Sequence, residues 1–119
     1  MLKMYTIMAP EKELKPGEQL FAQGDWGDKC FIVQKGSIHL YYNQKLFAMI
    51  PQGEILGEMA LIEENKRFAT ARAGKDGARL YELSKDRFLK LVKERPEFSL
   101  EILKCMSSRL RTWGSLNIR

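Results

Sequence analysis

The sequence predicts a mainly β domain, a sandwich, roll or barrel, that ends in helices. After a helical turn or two around residues 2–8, the part over about 12–83 consists of brief apolar stretches separated by glycine-containing turns, which is the pattern of many short strands. From Ser84 onward the apolar residues recur at helical spacing instead. The 119 residues, 45% of them hydrophobic and 29% charged, are enough for one globular domain with its own core.

Each predicted strand is short and bounded by turn residues. Ile38, Leu40 and Tyr42 alternate with more polar positions, so one face of that strand is expected to be buried. Gly36 and residues 74–77 are assigned to turns between strands. The predicted strands are QLFAQ (19–23), KCFIVQK (29–35), SIHLYYN (37–43), KLFAMI (45–50), FATARA (68–73) and ARLYELS (78–84).

Two helices are predicted after the strands. Ser84 is a suitable N-cap for a helix over about 85–94, which ends before Pro96. A second helix is predicted over about 96–113, and Gly114 is its expected stop. The apolar residues of this second helix fall on one stripe at spacings of three and four, namely Phe98, Ile102, Met106, Leu110 and Trp113.

The composition argues against several classes of protein. No apolar run approaches the roughly 20 residues of a membrane span, and the first residues lack the apolar core of a signal peptide, so a cytoplasmic protein without a membrane partner is expected. Cys30 and Cys105 fit no metal-ligand spacing and are expected to be reduced, and His39 has no partner ligand nearby in sequence. Neither a metal nor another cofactor is therefore predicted. The net charge of +5 identifies no partner by itself.

The sequence also gives little support for catalysis or DNA binding. We find no nucleophile beside a base and no paired carboxylates in a context that suggests a cleft, so an enzyme is not predicted. Lys104, Arg109, Arg111 and Arg119 make the C-terminal region basic, and a solvated helix face is the expected explanation. Direct DNA binding is not expected, because the chain ends at Arg119 without a segment for a helix-turn-helix.

The stretch LGEMALIEENKRFATA, residues 56–71, contains the best candidate for a binding site. Gly57 precedes a helical turn whose free N–H groups and dipole favour an anion such as phosphate. Arg67 could bind the same anion through two hydrogen bonds. Glu58 would repel a phosphate but could accept hydrogen bonds from the hydroxyls of an attached sugar, and the combination describes a nucleotide. Spacing alone also allows a simpler reading, in which Glu58 complements the helix dipole and Arg67 is solvated.

Residues 14–110 resemble the cyclic nucleotide-binding domain family, which includes catabolite-activator-type regulators, protein kinase regulatory subunits and gated channels. The resemblance implies an eight-stranded β-roll, a jelly-roll-like double-stranded β-helix, with helices at both ends and a phosphate-binding cassette between two strands. The matching stretches are KPGEQLFAQGDWGDKCFIVQKGSIHLYY, LGEMALIEENKRFATARA and LYELSKDRFLKLVKERPEFSLEILKCMSSRL.

The family's cassette assigns roles to residues of this sequence. By this resemblance, Gly57 and Glu58 would hold the ribose 2′-hydroxyl. Arg67 and the Ala60 N–H would hold the cyclic phosphate, and the Phe68 N–H would add a contact. The implied ligand-binding residues are Gly57, Glu58, Met59, Ala60, Arg67, Phe68 and Ala69.

Phe68 departs from the family pattern, which has a small residue or a hydroxyl at this position. Without a hydroxyl to bond guanine it favours cAMP over cGMP, although its bulk could also crowd the pocket. The last helix of the family both dimerises and closes over the base. Met106, Leu110 and Trp113 are therefore candidates for a base lid, and core packing or a homodimer contact is the alternative.

The function predicted from the sequence is a regulatory module that binds a cyclic nucleotide, cAMP first, and signals through its C-terminal helix to an unknown effector protein. The alternative is a nucleotide-free dimerisation or docking domain with a degenerate pocket, because a fold does not fix a function.

Overall fold

The structure, a computed structural model, describes the backbone of residues 2–63 and 66–117, with the side chains of residue 3 and residues 113–117 outside the description. None of the described helices is long and apolar enough to cross a membrane. The elements in chain order are a 3₁₀ turn (Leu2–Tyr5), β1 (Glu11–Leu14), β2 (Gln19–Phe21), β3 (Lys29–Tyr42), β4 (Lys45–Ile50), β5 (Ile55–Leu56), α1 (Glu58–Glu63), β6 (Thr70–Ser84), α2 (Lys85–Glu94) and α3 (Pro96–Asn117).

The described strands form one six-stranded antiparallel sheet in the order β1-β6-β3-β4, with β2 paired to β6 and β5 paired to β3. The long strands β3 and β6, of 14 and 15 residues, form its centre. The predicted class, mainly β with C-terminal helices, is confirmed.

Gly36 and Gly77 lie inside the long strands, so the prediction of turns at Gly36 and at residues 74–77 was wrong. A Cβ atom added to Gly36 would lie 2.3 Å from the carbonyl oxygen of Gly77, and the two glycines have φ values of 82° and 76°. Glycine thus permits a close approach of two bulged strands here rather than a chain reversal. Two predicted pairs of strands are consequently continuous, and the described sheet has six strands instead of eight.

The helices begin as predicted, but the last one ends later. Ser84 caps α2, because its hydroxyl oxygen accepts a hydrogen bond from the N–H of Arg87 at 3.1 Å. α3 was expected to stop at Gly114 and instead continues to Asn117. Gly114 is not among the described glycines with positive φ. An interior glycine costs a helix only about 1 kcal/mol relative to alanine, which is too little to end it.

Two apolar clusters lie on opposite faces of β3. Phe31 and Val33 belong to a cluster among the strands, whereas Cys30 and Ile32 belong to a cluster between the sheet and the helices. This division follows from the two-residue period of a strand, whose successive side chains point to opposite faces. β3 therefore packs against the helices on one side and against the cluster among the strands on the other. The six described strands together are called the roll below.

The N-terminal half of α3 is anchored in the second cluster, whereas its C-terminal half is not. Phe98 is fully buried, with its ring centroid 5.0 Å from that of Tyr5 and 5.7 Å from that of Phe88. Ile102, one turn further, is also buried, but Leu110 is 66% exposed. The apolar stripe predicted for this helix is thus core at its start and surface near its end.

Candidate functional site

The predicted ligand residues line one small cavity of about 60 Å³ beside β5, α1 and the start of β6. The structure therefore brings them together, although their contact with a nucleotide stays a prediction. Phe21, Leu40, Phe47, Leu56 and Arg109 complete the lining. The residues of the prediction found there are Gly57, Glu58, Met59, Ala60, Arg67, Phe68 and Ala69.

Glycine is required at position 57 for two reasons. Its φ of 81° lies in the left-handed region, which favours a residue without a Cβ atom. An added Cβ would also lie 2.8 Å from Nη1 of Arg67. Gly57 therefore turns the chain into α1, and the absence of a Cβ atom leaves room for the Arg67 guanidinium beside the Gly57 carbonyl group.

Arg67 is buried, with 6% of its surface exposed, and its guanidinium lies inside the cavity wall. Its Nη1 donates to the carbonyl oxygen of Gly57 at 2.8 Å, and its Nη2 donates to that of Lys29 at 2.6 Å. Its Cζ lies 4.2 Å from the ring centroid of Phe21, a cation–π distance. Burial lowers the pKa of the Arg67 guanidinium, but arginine stays protonated at neutral pH.

Neutral carbonyl groups thus hold the charge of Arg67. Its Nε has no hydrogen-bond partner among the described residues, although it is buried. A Cβ added to Gly27 would lie 2.5 Å from Cζ of Arg67, so the loop before β3 packs directly on the guanidinium. A buried cation with an unused donor is well suited to an anionic ligand.

Glu58, at the start of α1, is 2% exposed and faces the same cavity. Burial raises the pKa of the Glu58 carboxyl, and the nearby Arg109 opposes this rise. Its Oε1 lies 3.6 Å from Nη1 of Arg109 and makes no hydrogen bond within the described part of the chain. The carboxylate is therefore paired in charge but retains an oxygen that could accept a hydrogen bond from a hydroxyl group.

Arg109 is the charged site residue that the sequence did not reveal, because the basic C-terminal residues were expected on a solvated face. Its side chain is only 12% exposed. The guanidinium also lies 3.6 Å from Oε1 of Glu54 and donates to the carbonyl oxygen of Ile55. The available signal was its position, three residues after Met106 and seven after Ile102, which puts an arginine on the apolar stripe.

Two of the three base-lid candidates lie outside the small cavity in this structure. Met106 is half-buried against the cluster between sheet and helices, and Leu110 is exposed. Both are outside the lining of the small cavity. The side chain of Trp113 lies outside the described residues. The lid role of these three residues stays a prediction.

A larger cavity of about 440 Å³ adjoins the small one between β4 and α3. Phe47 and Arg109 line both cavities. Ligand pockets usually measure roughly 300–1,000 Å³, so the small cavity alone is too small for a nucleotide, whereas the two together are large enough. The described residues include no group of three or more His, Cys, Asp or Glu placed to hold a metal ion.

Comparison with known proteins places this geometry in a family. The family model for the cyclic nucleotide-binding domain matches residues 11–95. The chain is 35% identical over 86 residues to a cAMP-dependent protein kinase regulatory subunit of Debaryomyces hansenii, covering 71% of this chain and 19% of that protein. It is 31% identical over 107 residues to a cyclic AMP receptor protein of Thermus thermophilus, covering 85% of this chain and 49% of that protein.

Solved structures agree with the fold. The crystal structure of the Thermus thermophilus catabolite activator protein superposes with a TM-score of 0.81 at 24% identity, covering 98% of this chain and 56% of that one. A protein of a cyclic-GMP-dependent signalling pathway in bacterial phytopathogenesis superposes with a TM-score of 0.76 at 30% identity, covering 93% of this chain and 91% of that one.

This chain thus spans less than half of each of the two curated relatives above, and the part it shares with them is one domain. The family match covers all six described strands, α1 and α2, and it includes Glu58 and Arg67. The chain therefore belongs to the cyclic nucleotide-binding domain family.

Proposed function

We propose that this domain captures a cyclic nucleotide, cAMP in preference to cGMP, and that α3 transmits occupancy to an effector protein. Membership of the family supports a cyclic nucleotide as the ligand class. Two relatives named for cyclic AMP, and the absence of a hydroxyl at Phe68, favour cAMP. The two free thiols, Cys30 and Cys105, agree with a reducing compartment such as the cytoplasm.

The observation that carries this proposal is the position of Arg109. This residue belongs to α3, yet its guanidinium is paired with Glu58, the carboxylate proposed to accept the ribose hydroxyl. A sugar hydroxyl that donates a hydrogen bond to Glu58 would share the carboxylate with Arg109. The ion pair between Glu58 and Arg109 would then change. A ligand changes a conformational equilibrium only through contacts that differ between the states, and this ion pair is such a contact.

Capture also requires the cavity to grow. At about 60 Å³ it holds no nucleotide, and Arg67 already donates to two carbonyl oxygens. The phosphate would take over part of this hydrogen bonding, and the base would occupy the larger space between β4 and α3. Since Arg109 lines both spaces, we expect its side chain to move when they join. Ligand entry and displacement of α3 are then one event.

Thermal unfolding with cAMP, cGMP or no nucleotide tests the binding half of the proposal. Ligand at about 100 times its dissociation constant stabilises a native protein by ~2.7 kcal/mol. Loss of the charge-assisted hydrogen bonds in Arg67→Ala is expected to weaken binding by ~1.5–3 kcal/mol, or more than tenfold. Arg72→Ala, which removes an exposed arginine from β6, is the matched control. Equal affinity in Arg67→Ala and the control would contradict this role of Arg67.

Hydrogen exchange of α3 tests the signalling half. Saturating cAMP should change the protection of amides after residue 106 in the wild-type protein. In Arg109→Met the nucleotide should still bind, with much less change in α3. If α3 exchanges at the same rate with and without bound cAMP, transmission through this helix is excluded while binding stands.

A second candidate function, a nucleotide-free dimerisation or docking domain, is favoured by the same small cavity. In this alternative, Arg67 has a purely structural role, and its hydrogen bonds to the carbonyl oxygens of Gly57 and Lys29 are permanent. It predicts no shift in melting temperature with either nucleotide. It also predicts a homodimer or a stable complex with a partner in sedimentation experiments, unaffected by cAMP.

A further inference from the structure

Three aromatic rings meet beside the candidate site. The ring of Phe68 is stacked on that of Tyr42, with centroids 4.9 Å apart and planes 19° from parallel. Phe47 meets Phe68 edge to face at 6.0 Å and 89°. Tyr42 lies at the end of β3 and Phe47 in β4, so strands of the sheet hold the ring of Phe68 from two directions.

Phe68 does not fill the cavity, although the size of its side chain made this possible. Half of its surface, 50%, is exposed, while the residues beside it, Arg67 and Ala69, are buried. An aromatic ring held by two others has little freedom to rotate, yet one part of it remains uncovered. A fixed, half-open ring at the edge of a cavity is an apolar surface that a planar ligand group can cover.

The location of this ring decides which part of a ligand it would meet. Phe68 and Phe47 line the small cavity, and Phe47 also lines the larger one. Arg67 and Glu58, the partners for phosphate and sugar, lie in the small cavity. The third part of a nucleotide, its base, then lies towards the junction of the two cavities, where the aromatic rings are.

We propose that Phe68 is the stacking surface for the nucleotide base, with Tyr42 and Phe47 as the residues that position its ring. This inference rests on the proposed function, and it adds a rule of specificity. Stacking depends on the area of the base rather than on its hydrogen-bonding groups. The site is therefore expected to prefer purine over pyrimidine cyclic nucleotides. Stacking itself should distinguish adenine from guanine only weakly, so the preference for cAMP comes from the missing hydroxyl at position 68.

A titration with three ligands tests the proposal. The ligands are cAMP, cyclic UMP, and the same cyclic ribose phosphate without a base, each measured by calorimetry with the wild-type protein and Phe68→Leu. Leucine keeps an apolar side chain but removes the aromatic ring. Affinity for cAMP should fall about tenfold in Phe68→Leu, the usual effect of losing one aromatic stacking partner. Affinity for the base-free compound should not change.

Two variants serve as controls. Phe68→Tyr keeps the ring and should bind cAMP like the wild-type protein. Trp26→Ala removes an aromatic side chain that is 75% exposed and lies outside the lining of both cavities, so it should have no effect. Melting curves without ligand establish that each variant is folded.

The outcomes separate this inference from the function on which it rests. Unchanged or tighter cAMP binding in Phe68→Leu, with the wild-type protein binding cAMP well, overturns the stacking role and leaves the proposed function intact. Equal losses for cAMP and the base-free compound also overturn it, because Phe68 would then act on the whole pocket. If the wild-type protein binds none of the three ligands, the proposed function fails and the stacking role fails with it.

Discussion

Arg67 and Arg109 bring buried guanidinium groups to the same cavity from two different regions. Arg67 belongs to the cassette, residues 57–69, and is held by carbonyl oxygens of the roll. Arg109 belongs to the C-terminal half of α3 and is paired with the carboxylates Glu54 and Glu58. One cation is therefore held by neutral dipoles, whereas the other is held by opposite charges together with the carbonyl group of Ile55.

In the proposed function, this difference separates the residue for binding from the residue for transmission. The carbonyl groups around Arg67 leave its positive charge uncompensated by any direct ion pair among the described residues, which suits the anion-binding role proposed for the cassette. Arg109 depends on charges that belong to the roll, and beyond residue 106 α3 exposes apolar side chains such as Leu110. The contacts of Arg109 that hold this half of the helix are thus two ion pairs and one hydrogen bond, and we propose that a ligand alters them.

Among the variants that test this comparison, Arg109→Met is expected to have the largest effect on the free energy of unfolding. Removing one partner of a buried ion pair leaves the carboxylate of Glu58 uncompensated, so we expect a loss of about 3 kcal/mol in the free energy of unfolding at neutral pH. Chemical denaturation measures this loss. Arg111→Met, an exposed arginine on the same helix, should change stability by less than about 0.5 kcal/mol. Equal effects of the two variants would mean that Arg109 does not anchor α3.

Gly27→Ala should have the next largest effect, and it acts on the cassette alone. The new Cβ would lie 2.5 Å from Arg67 and 2.8 Å from Cβ of Ala60, so overpacking should cost about 2 kcal/mol of stability. Combined with Arg67→Ala, the same substitution should cost clearly less, because one of the two clashes is gone. Strict additivity of the two substitutions in denaturation experiments would contradict direct packing between Gly27 and Arg67.

Ser84→Ala removes the cap of α2, which lies outside both regions. Loss of the hydrogen bond to Arg87 should lower stability by about 1 kcal/mol, while the affinity for cAMP stays unchanged. Ser107→Ala, inside α3 and exposed, is the control for the substitution itself. A change in cAMP affinity with Ser84→Ala would show that general stability, and not the two arginine regions, governs binding.

The smallest expected effect is a difference in pH dependence between the wild-type protein and Glu58→Gln. Because burial raises the pKa of Glu58, the native state binds this proton more tightly than the unfolded chain. The resulting stabilisation is complete below the ordinary pKa of about 4.5 and is lost as pH rises through the raised value. The wild-type protein should therefore lose stability relative to Glu58→Gln as pH increases from about 4.5. Parallel curves from denaturation at several pH values would contradict this assignment.

The sequence was most informative where short-range chemistry determines structure. The cap at Ser84 and the bounds of α2 depend on neighbouring residues, and both were predicted. The cassette residues, Glu58 and Arg67 among them, were identified by resemblance to a family motif. Gly36 was misassigned because a glycine in a close strand contact looks, in sequence, like a glycine in a turn. The reason for glycine at position 36 is the close approach of the Gly77 carbonyl oxygen from the neighbouring strand.

Arg109 could not be predicted for a related reason. Its role depends on Glu58, far away in the chain, and on where α3 crosses the roll. Local charge patterning assigned it to solvent, together with Arg111, which is indeed exposed. The half of the site contributed by the cassette was therefore readable from sequence, whereas the half contributed by α3 required the tertiary structure.

The pairing of β6 has a consequence for how this protein is made. β1 and β2 pair with β6 and with no other described strand, and β6 also runs along β3. A chain emerging from the ribosome folds from its N-terminus, so the first two strands remain unpaired until their partners, within residues 71–81 of β6, have been synthesised. Such long-range pairings are slow to form. The cassette is synthesised before β6 and leads directly into that strand, so its carboxyl end gains a fixed position only when β6 has paired.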